Sequence, residues 1–488
     1  NNIDNMLEKR TGKKIRIIFA NILLMSFFSI ISAEKFETDT ILANGDKNKQ
    51  INIVFISEGY TSDEFDKYGT DANWILDNMM EQNPYNVYKK YFNAFIIKVP
   101  SGESGSDHPD INVYKDTYFS YYFNCSNIKQ LICYSGSPLT VLRDNFPSYD
   151  IALMIVNDTA YGGSGGAVAA TSINKKSVEI ALHELGHSFA NLKDEYEILY
   201  EQYIPSEGYN VTAETVRENI KWNTWIEGLT PIPTPETSSY NSVIGLFEGA
   251  CYRPAGWYRP KYLCKMRALN SPFCAVCLEK HIKNIYQLTG CYKSISPDNS
   301  DTVRIYFSDS ITFNVSPFRP ETYSLSIKWY MDTTEVGASR NLAYFSIGKG
   351  QAIPGTHKIK VFLEDTTSLV RNDQYGILKD TIIWNLQIGD DQPTLVREDK
   401  LSHKAHIAVI PSPFNRSCII RYSIEYKGTA SIQVFDIRGN RQKEILDKRH
   451  DRGEYSLFWE PAEMNSGSYV IRLINGNQVS LTKVFFLK

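Results

Sequence analysis

Three observations predict a mixed α/β domain followed by two β-sandwich domains. In the first part of the chain, short apolar runs alternate with helical patterns, which is the layout of a sheet covered by helices. From about residue 295 the pattern changes to an alternation of apolar and polar residues, as in half-buried antiparallel strands. A polar linker at 391–404 then precedes another β-rich segment. A chain of 488 residues is long enough for several such domains.

The predicted α/β domain comprises residues 34–292. Its apolar runs predict buried strands at residues 51–57, 92–99 and 150–156. Its helical patterns lie near residues 62–82, 127–145 and 274–287. A glycine-rich turn from Tyr161 to Gly166 follows the third strand. Because this turn lacks the Gly-Lys-Ser/Thr ending of a phosphate-binding loop, we interpret it as a flexible rim or an edge strand beside a substrate cleft.

The second predicted domain, residues 293–390, has the alternation of an immunoglobulin-like β-sandwich. Leu325, Ile327 and Trp329 alternate with polar residues, and the run from Ile359 to Leu363 does the same. This period of two is typical of an antiparallel sheet that is buried on one face. The third predicted domain, residues 405–488, is likewise β-rich.

The first 33 residues have the pattern of an export signal. Lys13, Lys14 and Arg16 precede an apolar run from Ile17 to Ile31, and Ser32-Ala33 offers a small-residue cleavage point. The run is shorter than the about 20 residues that a membrane span needs, so we interpret it as a cleaved signal peptide and not an anchor. We therefore expect an exported protein with no integral membrane segment after signal removal. The net charge of −3 gives no indication of nucleic-acid binding.

Export makes disulfide bonds the expected state of the eight cysteines. Cys125 and Cys133 are predicted to close a short loop. We also expect disulfides, in an undetermined pairing, within a cluster of five cysteines: Cys251, Cys264, Cys274, Cys277 and Cys291. The C-x-x-C pair Cys274 and Cys277 is alternatively one half of a structural zinc site.

Residues 183–187 have the sequence His-Glu-Leu-Gly-His, an H-E-x-x-H motif. Apolar residues recur around the motif at helical spacing: Val178, Leu182, Leu185 and Phe189. This spacing predicts an amphipathic helix. The two histidines of the motif fall outside the apolar stripe and lie four residues apart, so they share one face of the helix. One face of the helix is therefore expected to pack against the protein core, while the other is available to bind a ligand.

The motif predicts one catalytic Zn²⁺. On one helix face, His183 and His187 can bind the same ion, and Glu184 beside them can take a proton from a metal-bound water as general base. Catalytic zinc sites usually have three protein ligands and a water. Just beyond the helix, Asp194 carries a carboxylate, and we choose it as the third ligand, with Glu195 as the alternative.

The motif is accompanied by other distinctive segments between about residues 50 and 290. They are Ser57–Tyr60, Pro100–Pro109, Tyr161–Gly166, Gly245–Ala250, Tyr258–Pro260, Cys264–Arg267 and Pro272–Cys274, with the motif itself extending from His183 to Tyr196. Together they resemble the IgA-peptidase family of zinc metallopeptidases. The resemblance implies a zincin-like catalytic domain, zinc-dependent endopeptidase chemistry and a protein or peptide substrate. It does not imply that immunoglobulin A is cleaved.

Several further residues in these segments are candidates for the site. Met266 is a candidate Met-turn, a hydrophobic floor beneath the metal, or alternatively an ordinary core methionine. Tyr258 and Arg259 are candidates for stabilising the oxyanion or contacting the substrate, and Tyr196 is another. Structural roles are the alternative for all three.

The third domain contains the segments Pro411–Asn415, Ile432–Gly439 and Gly467–Leu473. It resembles the sorting domain of type IX secretion cargo, which implies the type IX machinery as a partner and a secreted or outer-membrane surface location. The rival hypothesis is a surface adhesin or glycan-binding protein whose metallopeptidase-like domain is inactive. The intact Glu184 argues against that hypothesis, because an inactive domain has no need of the base.

Overall fold

The computed structural model describes most of the chain from residue 35 onward. The described ranges are 35–321, 325–351, 353–389, 407–410, 412–415, 417–424, 426–461 and 463–486. The expected signal peptide, residues 1–33, and the linker at 391–404 lie outside these ranges. The chain divides into two compact units, residues 1–391 and 392–488. The described residues have a mixed α/β structure with many strands and few helices, as predicted.

Among the described residues, the first unit begins with a six-stranded sheet of order β1-β3-β2-β4-β6-β5. Its strands are β1 (Glu37–Leu42), β2 (Ile51–Glu58), β3 (Phe92–Lys98), β4 (Ile151–Val156), β5 (Gly163–Ser164) and β6 (Ala169–Ser172). Strands β2, β3, β4 and β6 pair in parallel, and the edge strands β1 and β5 pair antiparallel. The three predicted strands are confirmed. Every residue of β2 and β4 is buried, which explains their unbroken apolar runs.

Apolar layers cover both faces of this sheet. The α-helices among the described residues of the unit are α1 (Phe65–Met80), α2 (Pro138–Asn145), α3 (Ser177–Ser188) and α4 (Ala275–Thr289). Helices α1, α3 and α4 pack with one face of the sheet in a single core. Helix α2 and the loops around Phe119 and Ile132 pack on the other face. The metal-motif helix α3 is therefore fixed against a rigid sheet.

The predicted helix at 127–145 is wrong over its first part. Residues 128–137 form a loop, and the helix begins only at Pro138. The predicted disulfide between Cys125 and Cys133 is confirmed, and it closes this loop. A proline is well tolerated in the first turn of a helix, where its missing N–H has no partner to lose, so Pro138 marks the start.

The expected disulfides in the cluster of five cysteines are wrong. In the described part of the chain, all five are buried free thiols: Cys251, Cys264, Cys274, Cys277 and Cys291. An export signal indicates only that oxidation is allowed, whereas a disulfide also needs two sulfurs within bonding distance, at about 2.05 Å.

Residues 197–246 are largely irregular, and they lead into a hairpin of β7 (Phe247–Ala250) and β8 (Arg253–Arg259). No helix among the described residues combines the length and apolarity that a membrane span requires.

The rest of the first unit consists of two sheets with a shared core. One has the order β10-β16-β15-β12-β13 and the other β14-β11-β9. Their strands are β9 (Tyr292–Ser296), β10 (Val303–Tyr306), β11 (Ile311–Pro317), β12 (Leu325–Met331), β13 (Thr334–Glu335), β14 (Tyr344–Ile347), β15 (Gly355–Asp365) and β16 (Lys379–Gly389). Trp329 and Trp384 of the first sheet pack against Phe345 and Phe313 of the second. Burial alternates along β12, β15 and β16, as the sequence pattern predicted.

The second unit is also built of β-sheets. One has the order β17-β18-β21 and the other β20-β19-β22-β23. Their strands are β17 (Ile407–Ile410), β18 (Cys418–Ile424), β19 (Gly428–Asp436), β20 (Arg441–His450), β21 (Gly453–Trp459), β22 (Gly467–Asn475) and β23 (Gln478–Phe486). Phe414, Trp459 and Phe486 lie in its core.

A buried carboxylate at the end of β2 holds the loop that follows β3. Glu58 accepts hydrogen bonds from the backbone N–H groups of Phe119 (3.0 Å) and Tyr121 (2.9 Å) and from the Thr117 hydroxyl (2.7 Å). Burial raises the pKa of Glu58, and these hydrogen bonds oppose that rise. The next residue, Gly59, has a φ of 69°, and a side chain there would collide with a neighbouring backbone carbonyl. The Ser57–Tyr60 segment therefore has a structural function.

We predict that Glu58→Gln lowers the free energy of unfolding by about 1–3 kcal/mol, because in either orientation the amide NH₂ would face a backbone N–H, which can only donate. Chemical denaturation measures the change, and the exposed Glu81→Gln serves as the matched control. Equal stability of the two variants would contradict this account of Glu58.

Candidate metal centre

Helix α3 presents two histidines on the side opposite its buried stripe. The predicted apolar residues Val178, Leu182, Leu185 and Phe189 are buried, as expected. After the helix, Asn191 takes a left-handed conformation with a φ of 50°. Its N–H bonds to the His187 carbonyl at 3.0 Å, and the N–H of Leu192 bonds to the Gly186 carbonyl at 2.8 Å. This turn folds the chain back, so that Asp194 reaches the histidines.

Three side-chain atoms converge at this point. The Nε2 atoms of His183 and His187 lie 3.2 Å apart. Asp194 Oδ1 lies 3.2 Å from the first of these nitrogens and 3.3 Å from the second. A tetrahedral zinc ion about 2.0–2.1 Å from each ligand sets the ligand atoms about 3.3–3.4 Å apart. The triangle therefore matches one face of a zinc tetrahedron.

The hydrogen bonds of the two imidazoles leave both Nε2 atoms available as metal ligands. Nδ1 of His183 lies 2.9 Å from the Lys265 carbonyl, and Nδ1 of His187 lies 2.9 Å from the Leu192 carbonyl. Because a carbonyl only accepts, each Nδ1 carries the hydrogen, and the lone pair of the neutral ring is on Nε2. Asp194 Oδ1 has no hydrogen-bond donor among the described residues. Three acceptor atoms in contact are stable only with a cation between them.

The electrostatics of the site favour a positive charge at the same point. Burial raises the pKa of Asp194, but the adjacent histidines outweigh it and hold the pKa well below its usual range. Burial lowers the pKa of His187, but the Asp194 carboxylate outweighs it and raises the pKa to about 9. A metal ion bound at this point would supply that positive charge.

A tyrosine that sequence analysis missed positions Asp194. The hydroxyl of Tyr252 donates to Asp194 Oδ2 at 2.6 Å, which leaves Oδ1 directed at the histidines. The predicted site residue Tyr196 lies beside it, with the two hydroxyls 3.0 Å apart. Tyr252 belongs to no motif and is far from α3 in the chain, so only the folded structure brings it here.

Two glycines allow close contacts around the motif. A side chain at Gly165, in the glycine-rich turn after β5, would lie 2.7 Å from a carboxylate oxygen of Glu184. A side chain at Gly186 would lie 2.3 Å from the sulfur of Met266. The buried Met266 therefore packs directly against α3 between the two histidines, and β5 borders the base.

The structure separates the remaining candidates from the histidines. Glu195, the alternative third ligand, is fully buried and faces Asn210 and Cys277 instead. Arg259 is also fully buried, and its guanidinium bonds to the Glu248 and Gly249 carbonyls and to the Glu236 carboxylate. Arg259 was a candidate for oxyanion or substrate contact with a structural role as the alternative, and these contacts match the structural alternative, because they fasten the β7–β8 hairpin.

Tyr258 lies in strand β8 and is partly exposed. Its backbone pairs with Thr212 and with Glu248. These backbone contacts fix Tyr258 in the β7–β8 hairpin.

We predict that Tyr252→Phe weakens metal binding by about tenfold or more, because partners that orient ligands typically contribute that much to affinity. Competition with a chromophoric chelator measures the affinity. Tyr200→Phe, which changes a neighbouring tyrosine ring 6.0 Å away, is the control. Unchanged affinity of the Tyr252 variant would show that its hydrogen bond does not position Asp194.

Comparison with known proteins supports a peptidase. Residues 40–239 match the sequence model of the family described as IgA Peptidase M64, and this range contains His183, His187 and Asp194. The match indicates a metallopeptidase, which implies a metal ion and a protein substrate. No curated protein matches the chain significantly.

Similarity to solved structures is weak. Latent PorU from Porphyromonas gingivalis is 9% identical over 40% of this chain and 20% of its own, with a TM-score of 0.18. The fibronectin(III)-like modules of Clostridium thermocellum CbhA are 14% identical over 40% of this chain and 92% of their own, with a TM-score of 0.16. The Bacteroides uniformis β-glucuronidase 3 is 8% identical over 50% of this chain and 30% of its own, with a TM-score of 0.17. With TM-scores this low, none of these structures supports a statement about the fold or the function of this chain.

Proposed function

We propose that this protein is a secreted zinc-dependent endopeptidase, with zinc held by His183, His187 and Asp194. The observation that carries the proposal is the triangle of three acceptor atoms, 3.2–3.3 Å apart, beside the carboxylate of Glu184. The match of residues 40–239 to a metallopeptidase family supports it independently. The adhesin hypothesis is disfavoured, because an inactive domain would not need both the converging ligands and the base.

The chain's own residues supply the remaining chemistry. When bound, a zinc ion supplies Lewis acidity, which polarises a carbonyl and acidifies water. Glu184 accepts the proton of the attacking water and delivers it to the leaving amine. The Lys265 and Leu192 carbonyls hold the imidazoles in the required tautomer. Met266 forms the apolar floor beneath them.

The glycine-rich segment that follows β5 offers a place for an extended substrate. The outer edge of β5 itself is occupied, because the Gly163 N–H donates to the Gln130 carbonyl at 3.1 Å and the Gly163 carbonyl accepts from the Ile132 N–H at 3.3 Å. The adjoining Gly165 lies beside the Glu184 carboxylate. A peptide that pairs with a strand gains backbone hydrogen bonds that are independent of its sequence, and pairing next to Gly165 would bring a peptide bond next to the base. Tyr196 and Tyr258 are the remaining candidates for oxyanion or substrate contacts.

The location we propose is outside the cell or on the outer-membrane surface. Residues 1–33 would direct the first export step, and the third domain, residues 405–488, would engage the type IX secretion machinery. The Cys125–Cys133 disulfide supports export, because such bonds persist in oxidising compartments. The β-rich structure of the second unit is compatible with a sorting domain.

We predict that Glu184→Gln lowers the rate of peptide hydrolysis by about 10²–10⁴-fold, which is the usual contribution of a general base. Casein digestion measures the rate, and elemental analysis checks that the metal remains bound. Glu201→Gln, at an exposed glutamate, is the control and should retain full activity. Hydrolysis at the wild-type rate in the Glu184 variant would refute the assignment of the base.

We also predict that a strong chelator abolishes hydrolysis by the wild-type protein and that added Zn²⁺ restores it, because the ligands that remain are intact. The same casein assay measures both steps. Activity that survives removal of all metal would contradict a zinc mechanism.

A further inference from the structure

A second group of potential metal ligands lies next to the candidate metal centre in the chain, beginning with Glu195 beside Asp194. The thiols of Cys264, Cys274 and Cys277 and the carboxylate of Glu195 bring one donor atom each within 4.8 Å of one another. All four side chains are buried, and none is more than 4% exposed. The three thiols are free, which excludes the disulfides expected here from the sequence.

The distances from Cys277 Sγ to the other three donor atoms are close to those of a tetrahedral metal site. Cys277 Sγ lies 3.6 Å from both Cys264 Sγ and Cys274 Sγ. It also lies 3.4 Å from Glu195 Oε1. Zinc bonds of about 2.3 Å to sulfur and about 2.0 Å to oxygen separate tetrahedral ligands by about 3.8 Å for two sulfurs and about 3.5 Å for sulfur and oxygen.

The surroundings support anionic ligands. The backbone N–H of Cys274 points at Cys264 Sγ, 3.3 Å away, as expected for an amide that donates to a thiolate. Cys274 is the N-cap of α4 and Cys277 lies in its first turn, where the helix dipole stabilises negative charge. Asn210 donates to Glu195 Oε1 at 2.7 Å and thereby orients the carboxylate.

One atom of the group lacks a partner. Glu195 Oε2 is buried and has no hydrogen bond among the described residues. A buried carboxylate with an unpartnered oxygen is costly, and a metal ion bound to the same carboxylate would offset that cost by neutralising its charge. This oxygen therefore indicates a cation at the Glu195 carboxylate, independently of the thiol geometry.

We propose that Cys264, Cys274, Cys277 and Glu195 hold a second zinc ion, distinct from the catalytic one. Four protein ligands close the coordination shell, which is typical of a structural site and leaves no position for a substrate. The inference does not depend on the proposed function, because it uses a different set of ligands.

This ion would fasten the parts of the chain that shape the candidate metal centre. Glu195 adjoins Asp194, and its N–H donates to the Met266 carbonyl at 2.9 Å. Cys264 precedes Lys265, whose carbonyl holds the His183 ring. A single ion therefore joins the loop after α3, the 264–266 segment and the start of α4.

Metal counting on the full purified chain tests the proposal. We expect two zinc ions per wild-type chain by elemental analysis, and one in the double variant His183→Ala/His187→Ala. After exchange with Co²⁺, that double variant should keep the thiolate-to-cobalt charge-transfer absorption in the near ultraviolet. Cys274→Ser/Cys277→Ser should lose this absorption, and Cys418→Ser, at a buried cysteine in the other unit, should keep it.

The outcomes separate the two sites. The histidine double variant decides the proposal even if the cysteine variant fails to fold. A double variant that binds no zinc and shows no thiolate-to-cobalt band would overturn the second site while leaving the catalytic site standing. Mass-spectrometric detection of a disulfide among Cys264, Cys274 and Cys277 would also overturn it. If the wild type holds only one zinc ion, and that ion and the thiolate-to-cobalt band persist in the histidine double variant, the result would support the second site and contradict the catalytic one.

Discussion

The structure depends on one constraint: three atoms with free lone pairs meet at a single point, and no hydrogen lies between them. Two imidazole nitrogens and one carboxylate oxygen lie 3.2–3.3 Å apart, and the hydrogens of both rings point the other way. Such an arrangement is repulsive on its own, and a cation at its centre makes it attractive. The fold holds it because two of the donors belong to the packed helix α3 and the third lies just beyond the turn that follows this helix.

Those features come from packing rather than from the motif. Helix α3 is fixed by its buried stripe against a sheet whose central strands are covered on both faces. The left-handed Asn191 returns the chain toward the helix, and Tyr252 holds the returning carboxylate. Gly186 lets Met266 pack against the helix, and Gly165 lets the edge strand approach the base. Substitutions at these positions change the site without touching a ligand.

The sequence was informative where a local pattern has a local cause. The apolar runs predicted strands β2, β3 and β4, and the apolar stripe predicted α3, because burial selects residues at fixed periods. The same stripe placed the histidines on one face. Whether Asp194 or Glu195 is the third ligand depends on the direction of the turn after α3, and that direction leaves no periodic pattern in the sequence. The structure brings Asp194 and not Glu195 to the histidines.

Predictions failed where the determining contacts are distant in the chain. The cluster of five cysteines was assigned to disulfides from the expected compartment, whereas all five thiols are free and three of them group with Glu195. The predicted helix at 127–145 was too long, because the helical pattern of the sequence does not show that a disulfide-closed loop occupies its first part. Tyr252 was missed because its position beside Asp194 depends on the β7–β8 hairpin.

A crystal of the purified chain, with anomalous diffraction recorded on both sides of the zinc absorption edge, tests the central claim most directly. The account predicts an anomalous peak about 2.0–2.1 Å from Nε2 of His183, Nε2 of His187 and Oδ1 of Asp194. The absence of a peak there in zinc-supplemented crystals, or imidazole rings that point in different directions, would contradict it.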